Sequence, residues 1–175
     1  MKKPNSPQEQ ATPKRCHVLD LDDFSEGEIQ SVLSDASAMS EILDRDIKKV
    51  PTLRGKSIAT MFMEPSTRTR SSFEQAAKML SADVISIGVS GSSSEKGEST
   101  YNTALTLQAM GIDLIVVRHP LSGTPNFLAK YLNASIINAG DGSHAHPTQA
   151  LLDLYTINSK FGRIRDLRVV IVGDI

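Results

Sequence analysis

The strongest constraint on the fold is the alternation of short apolar runs with segments of helical periodicity. Strand-like apolar runs lie at residues 57–63, 83–88, 112–117, 135–138 and 168–173. Helix-like segments lie at residues 25–46, 67–80, 98–110, 124–131 and 146–159. This alternation predicts an α/β fold in which a mostly parallel sheet is flanked by helices.

Composition excludes several classes of function. The net charge of −1 gives no general attraction for nucleic acid or for an anionic membrane surface. No apolar run approaches the ~18 residues of a transmembrane helix, so no membrane contact is expected. The single cysteine, Cys16, cannot form an internal disulfide, which suits a cytoplasmic protein.

The junction between the first strand and the next helix carries an unusual density of anion-binding groups. Residues 57–63 are apolar, and the helical face begins at Phe73, with Ser66 or Thr67 as the predicted N-cap. A helix start offers unpaired backbone N–H groups and the positive end of the helix dipole. With the hydroxyls and the Arg68 guanidinium added, the junction predicts a phosphate-binding site. The junction lacks the lysine and glycines of a Walker loop, so it is not the signature of an NTPase.

Polar clusters follow the other strands as well. Residues 92–98 follow the second strand, Arg118 and His119 the third, and residues 138–142 the fourth. Because ligands of parallel sheets bind beside the carboxyl ends of the strands, we expect these clusters to share one edge of the sheet.

Three segments resemble motifs of the transcarbamoylase family. Residues 62–70 (FMEPSTRTR) resemble its carbamoyl-phosphate signature, residues 92–99 (SSSEKGES) its lysine loop, and residues 146–154 (HPTQALLDL) its His-Pro-x-Gln element. The motifs agree in order and spacing, and the resemblance covers about residues 16–175. Glu64 and the Lys-Gly-Glu sequence are similar to aspartate-specific members, since ornithine-specific members usually have lysine at the Glu64 position.

The resemblance implies transfer of the carbamoyl group from carbamoyl phosphate to the amino group of L-aspartate. This reaction of pyrimidine biosynthesis gives N-carbamoyl-L-aspartate and phosphate. It requires no metal, cofactor or covalent nucleophile, because positioned dipoles and charges can lower most of the barrier.

The family's pattern also implies which residues act. Carbamoyl phosphate is assigned to Ser66, Thr67, Arg68, Thr69, Arg118, His146 and Gln149. In this assignment Arg68 clamps the phosphate, while Thr69, Arg118 and His146 reach the carbonyl oxygen. Gln149 binds the carbamoyl amino group, and Lys96 completes the catalytic set.

Part of the site is implied to come from a neighbouring subunit. Ser92 and Lys96 of the adjacent subunit close over the substrates, and its Glu98 pairs with Arg68 across the boundary. Ser92 is chosen from residues 92–94 by its spacing to Lys96. Such sharing implies a homotrimer, and the sequence leaves open whether regulatory chains bind as well.

The expected domain organisation has three parts. Residues 1–15 are predicted to be a disordered tail, residues 16–160 the carbamoyl-phosphate-binding domain, and residues 161–175 the truncated start of an aspartate-binding domain. We therefore expect the chain by itself to lack activity.

Alternatives remain open at this point. The chain could be an ornithine-type or other transcarbamoylase, or a non-catalytic transcarbamoylase-like module that binds an anion or only assembles with partners. His146 could act as a general base instead of a hydrogen-bond donor, since an imidazole pKa lies near neutrality. His144 and His146 raise the idea of a metal site, but no cluster of carboxylates or thiolates supports it, and no metal is predicted.

Overall fold

The computed structural model describes residues 15–88 and 99–173. Within these ranges the strands are β1 (Ser57–Phe62), β2 (Asp83–Gly88), β3 (Leu114–His119) and β4 (Ser135–Asp141). The helices are α1 (Glu26–Leu43), α2 (Thr67–Met79), α3 (Thr100–Ala109), α4 (Thr124–Tyr131) and α5 (Pro147–Phe161). The predicted α/β fold is confirmed.

The sheet is parallel throughout, with the strand order β2-β1-β3-β4. After β1 the chain moves to one side to form β2, and it then crosses back to the other side of β1 for β3 and β4. The connections therefore reverse direction between β1 and β3. In open parallel sheets, ligands bind in the crevice at such a reversal, beside the carboxyl ends of the strands.

Both faces of the central strands are buried, which explains their largely apolar sequences. Met61 belongs to a core that contains Leu107 of α3 and Leu128 of α4. The next residue, Phe62, belongs to a second core that contains Ala77 of α2. Since successive strand residues point to opposite faces, helices cover the sheet on both sides. This two-sided packing holds the carboxyl ends of β1 and β3 in place.

Capping side chains determine where α1 and α3 begin. Ser25 Oγ accepts the N–H of Glu28 at 3.3 Å, and the Glu28 carboxylate accepts the Ser25 N–H at 2.9 Å, a reciprocal cap that starts α1. Ser99 caps α3 by accepting the N–H of Asn102. Within the described ranges, no helix combines the length and apolarity needed to cross a membrane.

The prediction of a strand at residues 168–173 is wrong. This segment forms no regular secondary structure, and its apolar side chains are exposed, Val172 to 91%. A strand requires a hydrogen-bonded neighbour, and none of the strands described here pairs with this segment. The β-branched composition that suggested a strand is therefore insufficient without a partner. The predicted tail, residues 1–15, lies outside the described residues except for Arg15.

Candidate active site

The amino terminus of α2 lies directly after β1, so the strand delivers residues 65–69 to the carboxyl edge of the sheet. Of the two predicted N-cap residues, Ser66 takes the position and Thr67 begins the helix, and in the described part of the chain the Ser66 hydroxyl makes no capping hydrogen bond. The first N–H groups of a helix also lack intrahelical partners. The segment can therefore offer an anion backbone N–H groups, the Arg68 guanidinium and the hydroxyls on either side of it.

Arg118 approaches the same edge from β3, where it pairs in register with Phe62 of β1. Its Nε donates to Glu64 Oε1 at 2.6 Å, and its Nη1 donates to the carbonyl of Ala139 at 3.0 Å. Gly140 makes room for the guanidinium, since a Cβ at that position would lie 2.7 Å from Nη1. These contacts fix the side chain and leave further N–H groups for a ligand.

His146 is the N-cap residue of α5, and this position determines its tautomer. Nδ1 accepts the backbone N–H of Gln149 at 3.4 Å, and Thr148 Oγ1 lies 3.3 Å from the same nitrogen. A ring nitrogen that accepts a hydrogen bond carries no proton, so the neutral ring holds its proton on Nε2. Burial, and then the positive charge of Arg118, lower the pKa of His146 below its ordinary value. The ring is therefore a neutral Nε2–H donor, which fits the predicted donor role better than the general-base alternative.

Gln149 lies in the first turn of α5. Its Nε2 donates to Asp153 Oδ1 at 3.1 Å, so the amide oxygen is left as the acceptor. The spacing from His146 puts both residues in the first turn of the helix, as the sequence predicted.

These groups line one cleft of about 800 Å³. Its described walls are Pro65, Ser66, Thr67, Arg68, Thr69, Ser72, Arg118, His146 and Gln149. Every residue that the sequence analysis assigned to carbamoyl phosphate thus lies in this cleft, at the reversal between β1 and β3. Ser92, Lys96 and Glu98 lie outside the described residues.

The family described as aspartate/ornithine carbamoyltransferase, carbamoyl-P binding domain, matches residues 16–159 of the chain. The chain belongs to the aspartate/ornithine carbamoyltransferase family. The aspartate carbamoyltransferase catalytic subunit of Chloroflexus aurantiacus is 59% identical over 164 residues, covering 94% of this chain and 53% of that relative. The catalytic subunit of Roseiflexus sp. (strain RS-1) is 60% identical over 162 residues, covering 93% of this chain and 51% of that relative.

Solved structures of the same family share the fold. The catalytic subunit of M. Jannaschii aspartate transcarbamoylase has a TM-score of 0.78 at 45% identity, covering 85% of this chain and 48% of that one. Aspartate transcarbamoylase from Trypanosoma cruzi, in complex with N-(phosphonacetyl)-L-aspartic acid, has a TM-score of 0.78 at 35% identity, covering 84% and 45%. The chain spans about half the length of the curated relatives it matches.

How Arg118 is held in this carbamoyltransferase domain was not predicted from the sequence. Glu64 served there only as a marker of the aspartate-specific branch, whereas in the structure it forms an ion pair with Arg118. Ser72, one turn beyond Arg68 in α2, also lines the cleft and was not singled out. Its spacing from Arg68 along the helix was the available signal.

The role of a buried carboxylate at the end of β4 was not predicted either. Asp141 is 0% exposed, and it accepts hydrogen bonds from Gly123 N at 2.7 Å, Asn138 Nδ2 at 2.9 Å and Ala145 N at 3.1 Å. Burial alone would raise the pKa of Asp141, but these bonds and one with His144 outweigh it and hold the pKa below its ordinary value. Asp141 thereby ties the start of α4 to the loop that leads to His146 in the cleft.

The ring of His144 is held by the same hydrogen-bond network, with one carboxylate near each ring nitrogen. Its Nδ1 lies 3.0 Å from Asp141 Oδ2, and its Nε2 lies 3.4 Å from Asp20 Oδ2. In residues 15–88 and 99–173, no group of three or more His, Cys, Asp or Glu side chains could hold a metal ion.

Proposed function

We propose that this chain is the carbamoyl-phosphate-binding half of an enzyme that transfers the carbamoyl group to L-aspartate. The observation that carries the proposal is the single cleft that joins the start of α2, Arg118 and the first turn of α5. The names of the relatives, which are aspartate carbamoyltransferase catalytic subunits, support aspartate as the acceptor. The products would be N-carbamoyl-L-aspartate and phosphate, in pyrimidine biosynthesis.

The phosphate would bind at the start of α2. A phosphate dianion is stabilised there by backbone N–H groups, by the helix dipole and by the hydroxyls of Ser66, Thr67 and Thr69. Arg68 can donate two parallel hydrogen bonds to phosphate oxygens and so stabilise the charge of the leaving group.

The carbamoyl group would lie toward Arg118 and α5. Attack by an amine places negative charge on the carbonyl oxygen, and donors fixed in advance stabilise that charge most effectively. The Nε2–H of His146 and a free N–H of Arg118 are such donors. Thr69, which lines the same cleft, would contribute a further hydrogen bond through Oγ1.

The domain organisation and the assembly are part of the proposal. Residues 16–160 form the carbamoyl-phosphate-binding domain, and residues 161–175 begin an aspartate-binding domain. Ser92 and Lys96 enter the site from the adjacent subunit of a cytoplasmic homotrimer, where Glu98 pairs with Arg68.

Calorimetric titration of the chain with inorganic phosphate and with carbamoyl phosphate tests the proposed function. We expect both to bind, and Arg68→Ala to weaken both by more than tenfold, about 1.4 kcal/mol or more. Arg163→Ala, which removes an exposed arginine beyond the far end of α5, is the matched control. Equal binding by the wild type and Arg68→Ala would refute the phosphate site.

A coupled assay of phosphate release tests the domain division. We expect no aspartate-dependent release from this chain, because holding two reactants in register contributes up to ~7–11 kcal/mol and the chain would hold one of them. Release near the rate of a full-length relative would show that residues before Ile175 bind aspartate, and the proposed division would be wrong.

A further inference from the structure

Asp153 determines which way the Gln149 side-chain amide points. Gln149 Nε2 donates to Asp153 Oδ1 at 3.1 Å, one turn further along α5. An ionised carboxylate only accepts hydrogen bonds, so the amide must turn its NH₂ group, and not its oxygen, toward Asp153. The chemistry of the partner thus decides the orientation of the amide, which is otherwise ambiguous.

The backbone of Gln149 is held as well, because its N–H donates to the carbonyl of His146 at 3.0 Å. Gln149 lines the cleft together with Arg118 and His146. One N–H of the Gln149 amide is engaged by Asp153, which turns the amide oxygen away from that carboxylate and leaves it as the acceptor for a ligand. An amide oxygen binds N–H donors and offers a methyl group no hydrogen bond.

We infer that Asp153 is a positioning residue through which Gln149 selects a carbamoyl group over an acyl group of the same shape. The inference rests on the proposed function, in which the cleft receives carbamoyl phosphate. The NH₂ of carbamoyl phosphate can donate to Gln149 Oε1, whereas acetyl phosphate has a methyl group at the same place. Without Asp153 the amide can turn over and present either edge, so the selectivity falls.

The simpler role for this pair is stabilisation of the exposed face of α5. A Gln–Asp pair at i,i+4 stabilises a helix without regard to any ligand. In that case, removing Asp153 would change the affinity for every anion by the same factor. The ratio of the dissociation constants for acetyl phosphate and carbamoyl phosphate separates the two roles, because the general effect of losing a negative charge cancels in the ratio.

Calorimetric titration of the chain with inorganic phosphate, carbamoyl phosphate and acetyl phosphate provides this ratio. We expect the wild type to prefer carbamoyl phosphate, and Asp153→Ala to lower the ratio about twofold, because an amide with two equally populated orientations presents its oxygen half of the time. Inorganic phosphate should bind Asp153→Ala no more weakly than the wild type. Asp35→Asn, which removes an exposed carboxylate from α1, should leave the ratio unchanged.

Exchanging the amide at position 149 and the carboxylate at position 153 should restore the preference for carbamoyl phosphate. In the double variant Gln149→Glu with Asp153→Asn, the residue at 153 can donate to one oxygen of the new carboxylate at 149. The other carboxylate oxygen then accepts from the carbamoyl NH₂ in every orientation. We expect the preference for carbamoyl phosphate to return to at least the wild-type ratio, even if both ligands bind more weakly beside the added negative charge.

The outcomes separate this inference from the proposed function. A wild type that binds neither inorganic phosphate nor carbamoyl phosphate would overturn the proposed function. A wild type that binds phosphate but does not distinguish the two acyl phosphates would overturn the inference alone. The inference would also be wrong if the ratio were the same in the wild type and Asp153→Ala, or if the exchanged pair failed to restore it.

Discussion

Glu64 holds Arg118 in place across two neighbouring strands, with Glu64 Oε1 2.6 Å from Arg118 Nε. Glu64 follows β1, and Arg118 lies near the end of β3, so the pair spans the point where the sheet connections reverse. Both side chains are about three-quarters buried. The carboxylate therefore orients the guanidinium before any ligand arrives, but its negative charge also opposes an anion in the cleft.

Glu64→Gln should separate these two effects. The glutamine keeps the size of the side chain and an oxygen that can accept from Arg118, but it removes the negative charge. We expect the dissociation constant for inorganic phosphate to fall roughly two- to fivefold at low salt, with a smaller gain at high salt. Titrations at two ionic strengths measure this, with Glu41→Gln on the exposed side of α1 as the control. Weaker binding by Glu64→Gln would mean that orientation of Arg118 outweighs repulsion.

The strands and helices could largely be predicted, because the sequence patterns that mark them involve residues close together in the chain. Apolar runs such as residues 57–63 mark strands buried on both faces, and helical periodicity such as that of residues 67–80 marks the helices. The residues of the cleft could be predicted because the resemblance to the family assigns them one by one, and the structure brings them together at one edge of the sheet. What the sequence did not reveal depends on partners distant in the chain, as with Glu64 and Arg118. Residues 168–173 also show that local composition is insufficient, because this exposed segment has the composition of a strand but no neighbouring strand among those described here.

Gly140→Ala should damage the cleft through Arg118. Gly140 has φ +115°, and a Cβ there would lie 2.7 Å from Arg118 Nη1. We expect a loss of ~1–3 kcal/mol in the free energy of unfolding from backbone strain, and at least tenfold weaker binding of carbamoyl phosphate. Gly55→Ala is the matched control, because Gly55 has φ +78° and its added Cβ would meet nothing within 4 Å. It should lose stability without losing affinity, as urea unfolding and calorimetry together will report. Similar losses of affinity in both variants would contradict a specific role for Gly140.

The pKa of His146 should depend on Arg118. Burial is the larger cause of the lowered pKa, and the Arg118 charge is the second. In Arg118→Met we therefore expect the pKa to rise, while remaining below the ordinary value because the ring is still buried. A proton NMR titration of the His146 ring measures the shift, with Arg163→Met as the control. An unchanged titration midpoint in Arg118→Met would refute the electrostatic contribution.

The same lowered pKa predicts how stability depends on pH. Just below the unfolded-state pKa of about 6.5, the unfolded chain binds more protons at this site than the folded chain. The stability due to neutral His146 is therefore fully present above that pH and is lost as the pH falls toward the folded-state pKa. His119, whose pKa is also lowered by burial, acts in the same direction. Urea unfolding at about pH 7.5 and about pH 5.5 should show a smaller decrease in Arg118→Met than in the wild type.

Asp141→Asn should be among the most destabilising substitutions in the chain. An asparagine at this buried position would direct an NH₂ group at donors such as Gly123 N and Ala145 N, leaving some of them unsatisfied. We expect a loss of ~2–4 kcal/mol in the free energy of unfolding. The exposed Asp46→Asn should stay within ~0.5 kcal/mol of the wild type.

The stability that Asp141 contributes should depend on pH, because hydrogen bonds lower the pKa of its carboxyl group. That contribution is present above the unfolded-state pKa of about 3.9 and is lost as the pH falls through the folded-state pKa. Acid unfolding curves should thus converge for the wild type and Asp141→Asn at low pH. A constant difference between the curves down to that range would show that the charge of Asp141 contributes nothing.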